Sequence, residues 1–197
     1  MSMFESQDFD LLKQAMDAYY PLSDSTWNVL VDCCHYRQLQ RHQALCQAGE
    51  IPRTFAFVCK GLLRVFALDD KGHEYNKNFF MEGQFPGSMA ALLRREPSLH
   101  SIQALEESVV IEIDFQCFRN LLYRSEDLKL FQIHYLEANW LLAKDARETQ
   151  MVQEDAAERY QRFLTDQPTL AARLPQYHIA SHLGITPTQL SRIRKKI

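Results

Sequence analysis

The chain has 197 residues, of which 46% are hydrophobic and 24% charged, and a formal net charge of -3. That balance can bury one or two cores and excludes a disordered chain. No apolar run approaches the about 18 residues that span a bilayer, and the start, MSMFESQDFD, is acidic where a leader would be basic and then apolar, so a cytoplasmic protein with no membrane partner is expected.

Phe9, Leu12, Ala15, Met16 and Tyr19 recur at helical spacing and Pro21 ends the pattern, which predicts a short amphipathic helix. In PLSDSTWNVLVDCC, Ser and Asp supply helix-starting caps before Trp27, Leu30 and Val31, and a second helix follows. The five cysteines, Cys33, Cys34, Cys46, Cys59 and Cys117, lack the C-x-x-C pairing of a zinc or redox site. Two adjacent cysteines followed by wide gaps also suit an iron-sulfur cluster poorly. The expectation is that most are reduced, half-buried thiols, with no metal.

Between about Tyr36 and Asp114, QAGE, CKGL, DDKGHE, MEGQFPG and RREPS separate the short runs TFAFVC, LLRVFAL, YNKNFF, SIQAL and SVVIEI. Brief strands with glycine turns at regular spacing predict an antiparallel β-roll.

After Asp114 there is no glycine until Gly184 and no proline until Pro168. Within that stretch Leu128, Phe131, Tyr135, Ala138 and Leu142 fall at three- and four-residue steps, with Ile133, Leu136, Trp140 and Ala143 forming a second stripe. One stripe can meet the chain's own roll and the other a copy of the same helix, so a homodimer is expected. EDAAERYQRFL resumes the helical period, Pro168 ends it, and the natural domain cut lies near residues 148 to 155. The expected organisation is a sensor roll with its N-terminal helices over 1–125, a dimerisation helix over 126–150 and a terminal unit over 151–197, an α+β protein.

That terminal unit has no acidic residue after Asp166, while Arg173, Arg192, Arg194, Lys195 and Lys196 contribute +5 to the total of -3, leaving -8 on the first 166 residues. In QYHIASHLGITPTQLSRIRKK, Ile179 and Leu183 share a face, Ala180 leaves room for a neighbouring helix, and Gly184 can take the left-handed conformation that closes a helix. Thr186 is a side-chain N-cap and Pro187 occupies the first helical position, where a missing N–H costs nothing. Leu190 and Ile193 then face inward, which leaves Thr188, Gln189, Ser191, Arg192, Lys195 and Lys196 outward. Helix, short glycine turn and second helix with a polar, basic face is the helix-turn-helix arrangement that lays its second helix in the major groove of DNA. A basic helix end alone would more often serve solubility; the turn, cap, spacing and charge together favour double-stranded DNA.

These residues resemble the Crp/Fnr family of bacterial transcription regulators. ERYQRFLTDQPTLAARLPQYHIASHLGITPTQLSRIRKK is similar to the family's DNA-binding half, CKGLLRVFALDDKGHE to its β-roll hairpin, and EGQFPGSMAALLRREPSLHSIQALEESVVIEI to the region holding its ligand cassette. The resemblance implies a cyclic-nucleotide-binding-like jelly roll, a long dimerisation helix, a helix-turn-helix domain, a near-palindromic operator, RNA polymerase as a further partner, and Arg192 as a base-contacting arginine. It also implies a ligand hollow around Gly87, Ser88, Met89, His100 and Ser101.

The chain departs from the family's cyclic-nucleotide-binding members within that hollow. Gly87 is followed by Ser88 where they place a glutamate for the ribose, and neither Ser98–Leu99 nor His100–Ser101 supplies the arginine for the cyclic phosphate. A phosphate without such donors loses its charge-assisted bonds, so cyclic AMP is not expected; the effector is left open and no cofactor is expected. His100 is expected to be an ordinary surface or turn histidine, and no β-wing is expected beyond the second helix, which Ile197 directly follows. An enzyme is not expected, since no nucleophile set or glycine-rich phosphate loop stands out. The competing reading is a β-roll ligand-binding or protein-interaction module without DNA binding.

Overall fold

The computed structural model describes residues 3–145 and 154–196. Helices α1 (Met3–Asp17) and α2 (Asp24–Val31) precede strands β1 (Cys34–Leu39), β2 (Ala44–Cys46), β3 (Thr54–Lys60), β4 (Leu63–Leu68) and β5 (Glu74–Phe80). A short α3 (Met89–Arg94) leads to β6 (Ser101–Ala104) and β7 (Ser108–Asp114). Helices α4 (Phe115–Leu122) and α5 (Glu126–Leu136) follow, then a π-helical segment (Glu137–Leu142), then α6 (Ala156–Asp166), α7 (Pro168–Arg173), α8 (Gln176–His182) and α9 (Pro187–Arg194).

The strands form two antiparallel sheets, ordered β1-β7-β3 and β2-β6-β4-β5. Between them lie Leu39, Ala56, Val58, Leu63, Val65, Ile102, Ala104 and Val110. The three-stranded sheet is also covered outside: Phe55, Phe57, Ile111 and Ile113 meet Phe9, Leu12 and Met16 of α1, Leu30 of α2, Phe118 of α4 and Leu128 and Phe131 of α5. A third cluster joins Leu62 and Phe79 at the four-stranded sheet to Tyr160, Phe163, Leu170, Leu174, Ile179, Ala180 and Leu190 of the terminal helices. The molecule is thus layered as helices, sheet, sheet and terminal unit.

Local chemistry sets several of these boundaries. Ser23 caps α2, and Asp127 in the first turn of α5 accepts from the Ser23 N–H and hydroxyl, both at 2.8 Å, and from the Thr26 hydroxyl at 2.9 Å. This carboxylate anchors α5 on α2 across 104 residues of sequence. At the β3–β4 turn, Gly61 has φ +110° and a Cβ there would stand 2.1 Å from the Ser108 hydroxyl, so only glycine fits.

The helix-compatible stretch after Asp114 opens with two helices, since Asp114 caps α4 through the Cys117 N–H at 2.7 Å and a turn at Tyr123–Arg124 restarts the chain at Ser125. Cys33 and Cys117 are joined in a disulfide, with Cα atoms 5.6 Å apart, so two of the five are not free thiols. Fold proximity of positions 84 residues apart, which spacing does not reveal, brings them together. Cys34 is half-buried and free, Cys46 and Cys59 are buried and free, and burial pushes Cys34 and Cys59 up to about 12. The expected dimerisation helix is not uniformly α-helical, because the π segment interrupts it. Its last residues, and most of the domain cut expected near 148 to 155, lie outside the described residues.

Candidate nucleic-acid interface

The terminal unit is built from its caps. Asp155 starts α6 in a capping box with Glu158, accepting from the Ala157 and Glu158 N–H groups while the Glu158 carboxylate accepts from the Asp155 N–H at 2.8 Å. Pro168 opens α7. Helix α8 buries Ile179 and Ala180 completely and closes where Gly184 takes φ +69°. The Ile185 N–H then donates to the Ala180 carbonyl at 3.0 Å, the six-residue closure expected of a glycine-ended helix.

Helix α9 starts at once. Thr186 is its N-cap with Pro187 at the first position, and Leu190 is buried under α8 with Ile193 partly so. Thr186, Thr188, Gln189, Ser191, Arg192, Lys195 and Lys196 are all exposed, in an order that gives the second helix a polar, basic outer face. Gln189 has a second task. Its Oε1 accepts from the Thr186 N–H at 2.8 Å, closing a capping box, so this oxygen is engaged and only its amide N–H groups remain for a base.

Sequence reasoning missed how this unit sits on the sheet. On the outer face of β4, the Arg64 guanidinium stacks over Phe66 at 3.9 Å and binds the Glu74 carboxylate and Gln103 Oε1. Arg64 draws the Glu74 carboxyl below the ordinary carboxylate range. His178 of α8 inserts beside it. Its Nδ1 lies 3.1 Å from Asn76 Nδ2 and 3.5 Å from Arg64 Nη1, two donors, so it accepts and the imidazole is the neutral Nε2–H tautomer. Burial first, then the neighbouring guanidinium, lower the His178 pKa from 6.5 to about 4. Ser181 donates to the Glu74 carbonyl at 2.8 Å and accepts from the Asn76 N–H at 2.9 Å, while Arg173 of α7 bridges Glu82 at 2.8 Å and also Glu106. A histidine, a serine and an arginine spaced along the terminal unit were the available signal; their partners lie far away in sequence.

The five residues of the expected hollow stand in different surroundings. Gly87 packs so tightly that a Cβ would meet Phe55 Cβ at 2.7 Å, and Met89 packs against the helical core. Ser88 pairs its hydroxyl with Ser98 at 2.8 Å, and Ser98 also receives the His100 N–H. His100 is half-buried, and burial first and Lys77 second lower its pKa. Ser101 lines an open groove of about 450 Å³ with Phe66, Gln103 and His42, along the four-stranded sheet. Between roll and α5 the space is filled by Phe57, Phe85, Phe131, Tyr135 and Tyr19, stacked edge-on or tilted at 5.1 to 6.4 Å.

The expected dimerisation stripe divides. Leu128 and Phe131 are buried in the chain's own core and Tyr135 packs against it, so none of the three is free for a partner, whereas Ala138 and Leu142 are exposed. In the π segment, wider i→i+5 bonding rotates the later residues off the earlier face. The exposed apolar surface is instead Ile133, Leu136, Trp140, Leu141 and Leu142, 42 to 66% accessible. This includes three of the four residues of the second stripe.

Comparison with known proteins matches residues 36–125 to the cyclic nucleotide-binding domain family. The chain is similar to the fumarate and nitrate reduction regulatory protein of Vibrio cholerae, 24% identical over 168 residues, covering 80% of this chain and 66% of that protein. The chain therefore spans just under two thirds of the length of that curated relative. Among solved structures it resembles the c-di-GMP-responsive global regulator CLP of Xanthomonas campestris, with TM-score 0.68 and 18% identity over 88% of this chain and 91% of that one. A mutant of CooA from Carboxydothermus hydrogenoformans gives TM-score 0.69 and 17% identity over 94% and 83% of the two chains. At such identities the likeness establishes the fold, roll and terminal helices together.

Proposed function

We propose that this chain is a transcriptional regulator of the Crp/Fnr type that binds double-stranded DNA sequence-specifically as a homodimer. The observation that carries the reading is α9: a doubly capped helix, set on α8 by a glycine turn, whose outer face is polar and basic in a unit with no acidic residue after Asp166. Arg192 is assigned to a base edge, where a guanidinium pairs bidentately with guanine O6 and N7, and Thr188 to the same groove. Ser191 lies beside them, Gln189 contributes its amide N–H groups, and Thr186 presents the helix N-terminus to a phosphate. Lys195 and Lys196, at the far end, neutralise phosphates without choosing sequence.

The dimer places two copies of α9 in successive major grooves about 34 Å apart, which calls for a near-palindromic site. RNA polymerase is the further partner of a regulator of this type. The effector, where there is one, is not cyclic AMP: the cassette lacks the glutamate and arginine, and aromatic side chains occupy the space between roll and α5. Selecting bound duplexes from a random pool with the purified chain tests the proposal. A two-fold related motif with steeply salt-dependent affinity supports it. Salt-insensitive or absent duplex binding would instead favour a ligand-binding or protein-interaction module.

A further inference from the structure

We infer that the sensor roll, through Asn76 and Arg64, holds the DNA-reading unit at one fixed position and so determines the spacing between half-sites that the dimer accepts. This inference rests on the proposed DNA-binding function and adds to it a set of positioning residues that never touch DNA. A reader joined to its dimer by chain alone would let the two recognition helices settle at a range of separations, and operators with neighbouring spacings would bind alike.

The contact seen here is of another kind. Asn76 and His178 are 1% and 3% exposed and meet 102 residues apart in sequence, with Nδ2 and Nδ1 at 3.1 Å. Asn76 is engaged three times over: side chain to the His178 ring, backbone N–H to the Ser181 hydroxyl at 2.9 Å, and carbonyl from the His182 ring nitrogen at 3.1 Å. Buried polar groups fix geometry more sharply than apolar ones, because sliding the two bodies by one residue leaves a donor or acceptor unpaired in a dry site.

The apolar part of the interface, Phe79 and Leu62 against Ile179 and the helices around it, supplies adhesion without direction. Arg173 adds a second fixed point, bound to Glu82 and Glu106, with Glu82 itself held by the Gly61 N–H at 2.8 Å. Two separated polar attachments define both the place and the rotation of the reader on the roll. Its distance from any dimer seam on the α5 side of the molecule is then fixed as well.

The experiment uses the full chain and a duplex pool in which two selected half-sites are separated by variable spacers. The parent should prefer one spacer over those one base pair longer or shorter by about tenfold, or 1.4 kcal/mol. Asn76→Leu, alone and combined with Glu82→Gln and Glu106→Gln, should reduce that preference to about threefold or less while leaving the half-site sequence unchanged. The surface pair Glu82→Gln and Glu106→Gln, which does not disturb a buried site, gives the same direction of change if Asn76→Leu fails to fold.

His178→Gln, whose amide oxygen can still accept from Asn76, should keep the parent's spacing, whereas His178→Leu should lose it. Hydrogen exchange over residues 176–182 reads the attachment without DNA and should quicken in Asn76→Leu. An unchanged spacer preference in variants that bind DNA, or His178→Gln losing it as fully as His178→Leu, overturns the inference alone. A parent that binds no duplex, yet whose exchange quickens in Asn76→Leu, removes the DNA-binding reading and with it the role in spacing.

Discussion

Arg192 lies in the last turn of α9 and Lys196 just beyond its end, and the two should fail in different ways. Arg192→Ala should relax the preference at one base pair of each half-site, with a loss of about 1 to 3 kcal/mol against the preferred base, read as a flattened column in the selected motif. Lys196→Ala should weaken all duplexes alike and make the slope of affinity against salt shallower by about one unit per monomer. His178 provides a pH test. Its pKa falls from 6.5 to about 4 on folding, so the unfolded chain binds the extra proton between those values; stability is complete above 6.5 and is lost as pH falls toward 4, by up to about 3 kcal/mol. The groups facing it are Arg64, Glu74, Asn76, Phe79 and Tyr177, with His42 further off. Urea midpoints at pH 7 and 5 should separate for the parent more than for His178→Gln, and equal separations would disprove the assignment. Gly184, Thr186 and Pro187 were legible because their chemistry is local. Gln189 was half legible: its outward place follows from the helical period, but the capping box that engages its oxygen went unread although the T-x-x-Q spacing stands in the sequence. The partner of His178 was not legible, since 102 residues intervene.

The strand runs TFAFVC and SVVIEI became β3 and β7, and they read as continuous rather than alternating because both faces are covered, one by helices and one by the other sheet. Strands β1 and β2 were not read: CHYRQL mixes polar and apolar residues and ALC is only three long. Within the long helix, periodicity cannot report a change to i→i+5 bonding at 137. Two predictions belong at this scale. Thr186→Ala removes the acceptor for the Gln189 N–H and one side of the capping box, and should cost about 1 kcal/mol of helix stability, seen as a lower thermal midpoint and frayed amides at the start of α9. Cyclic AMP added to the purified chain should give no calorimetric binding at micromolar concentration, because the cassette loop closes on itself through Ser88, Ser98 and His100 and places no arginine at the phosphate-binding positions 98 to 101. Binding at micromolar affinity or tighter would show that the aromatic filling opens.

The assembled molecule has an acidic body and a basic reader, with an apolar strip that its own fold does not cover. Ile133, Leu136, Trp140, Leu141 and Leu142 stand 42 to 66% exposed on one stretch of helix, and contiguous apolar surface of that kind on a soluble chain marks a place of association. A second copy of the helix is the occupant that the DNA reading requires, since a single recognition helix cannot select a two-fold site. Leu142→Asp and Trp140→Asp should therefore convert the dimer to monomer, with light scattering at micromolar concentration reporting half the mass. Both variants should keep the parent's far-ultraviolet circular dichroism, because both side chains are exposed and neither belongs to the buried core. Leu128→Asp should behave otherwise: that side chain is fully buried among α1, α2 and the three-stranded sheet, so an unpaired charge there should unfold the sensor instead of parting two folded copies. DNA supplies the second readout. When the dimer parts, the second half-site no longer binds at the high effective concentration set by the first, and affinity for the full palindrome should fall by about a hundredfold while affinity for one half-site stays where it was. If Leu142→Asp and Trp140→Asp remained dimeric, the seam would lie elsewhere and the exposed strip would belong to a different partner; if they became monomers yet bound the palindrome as the parent does, dimerisation would not be what pairs the two readers.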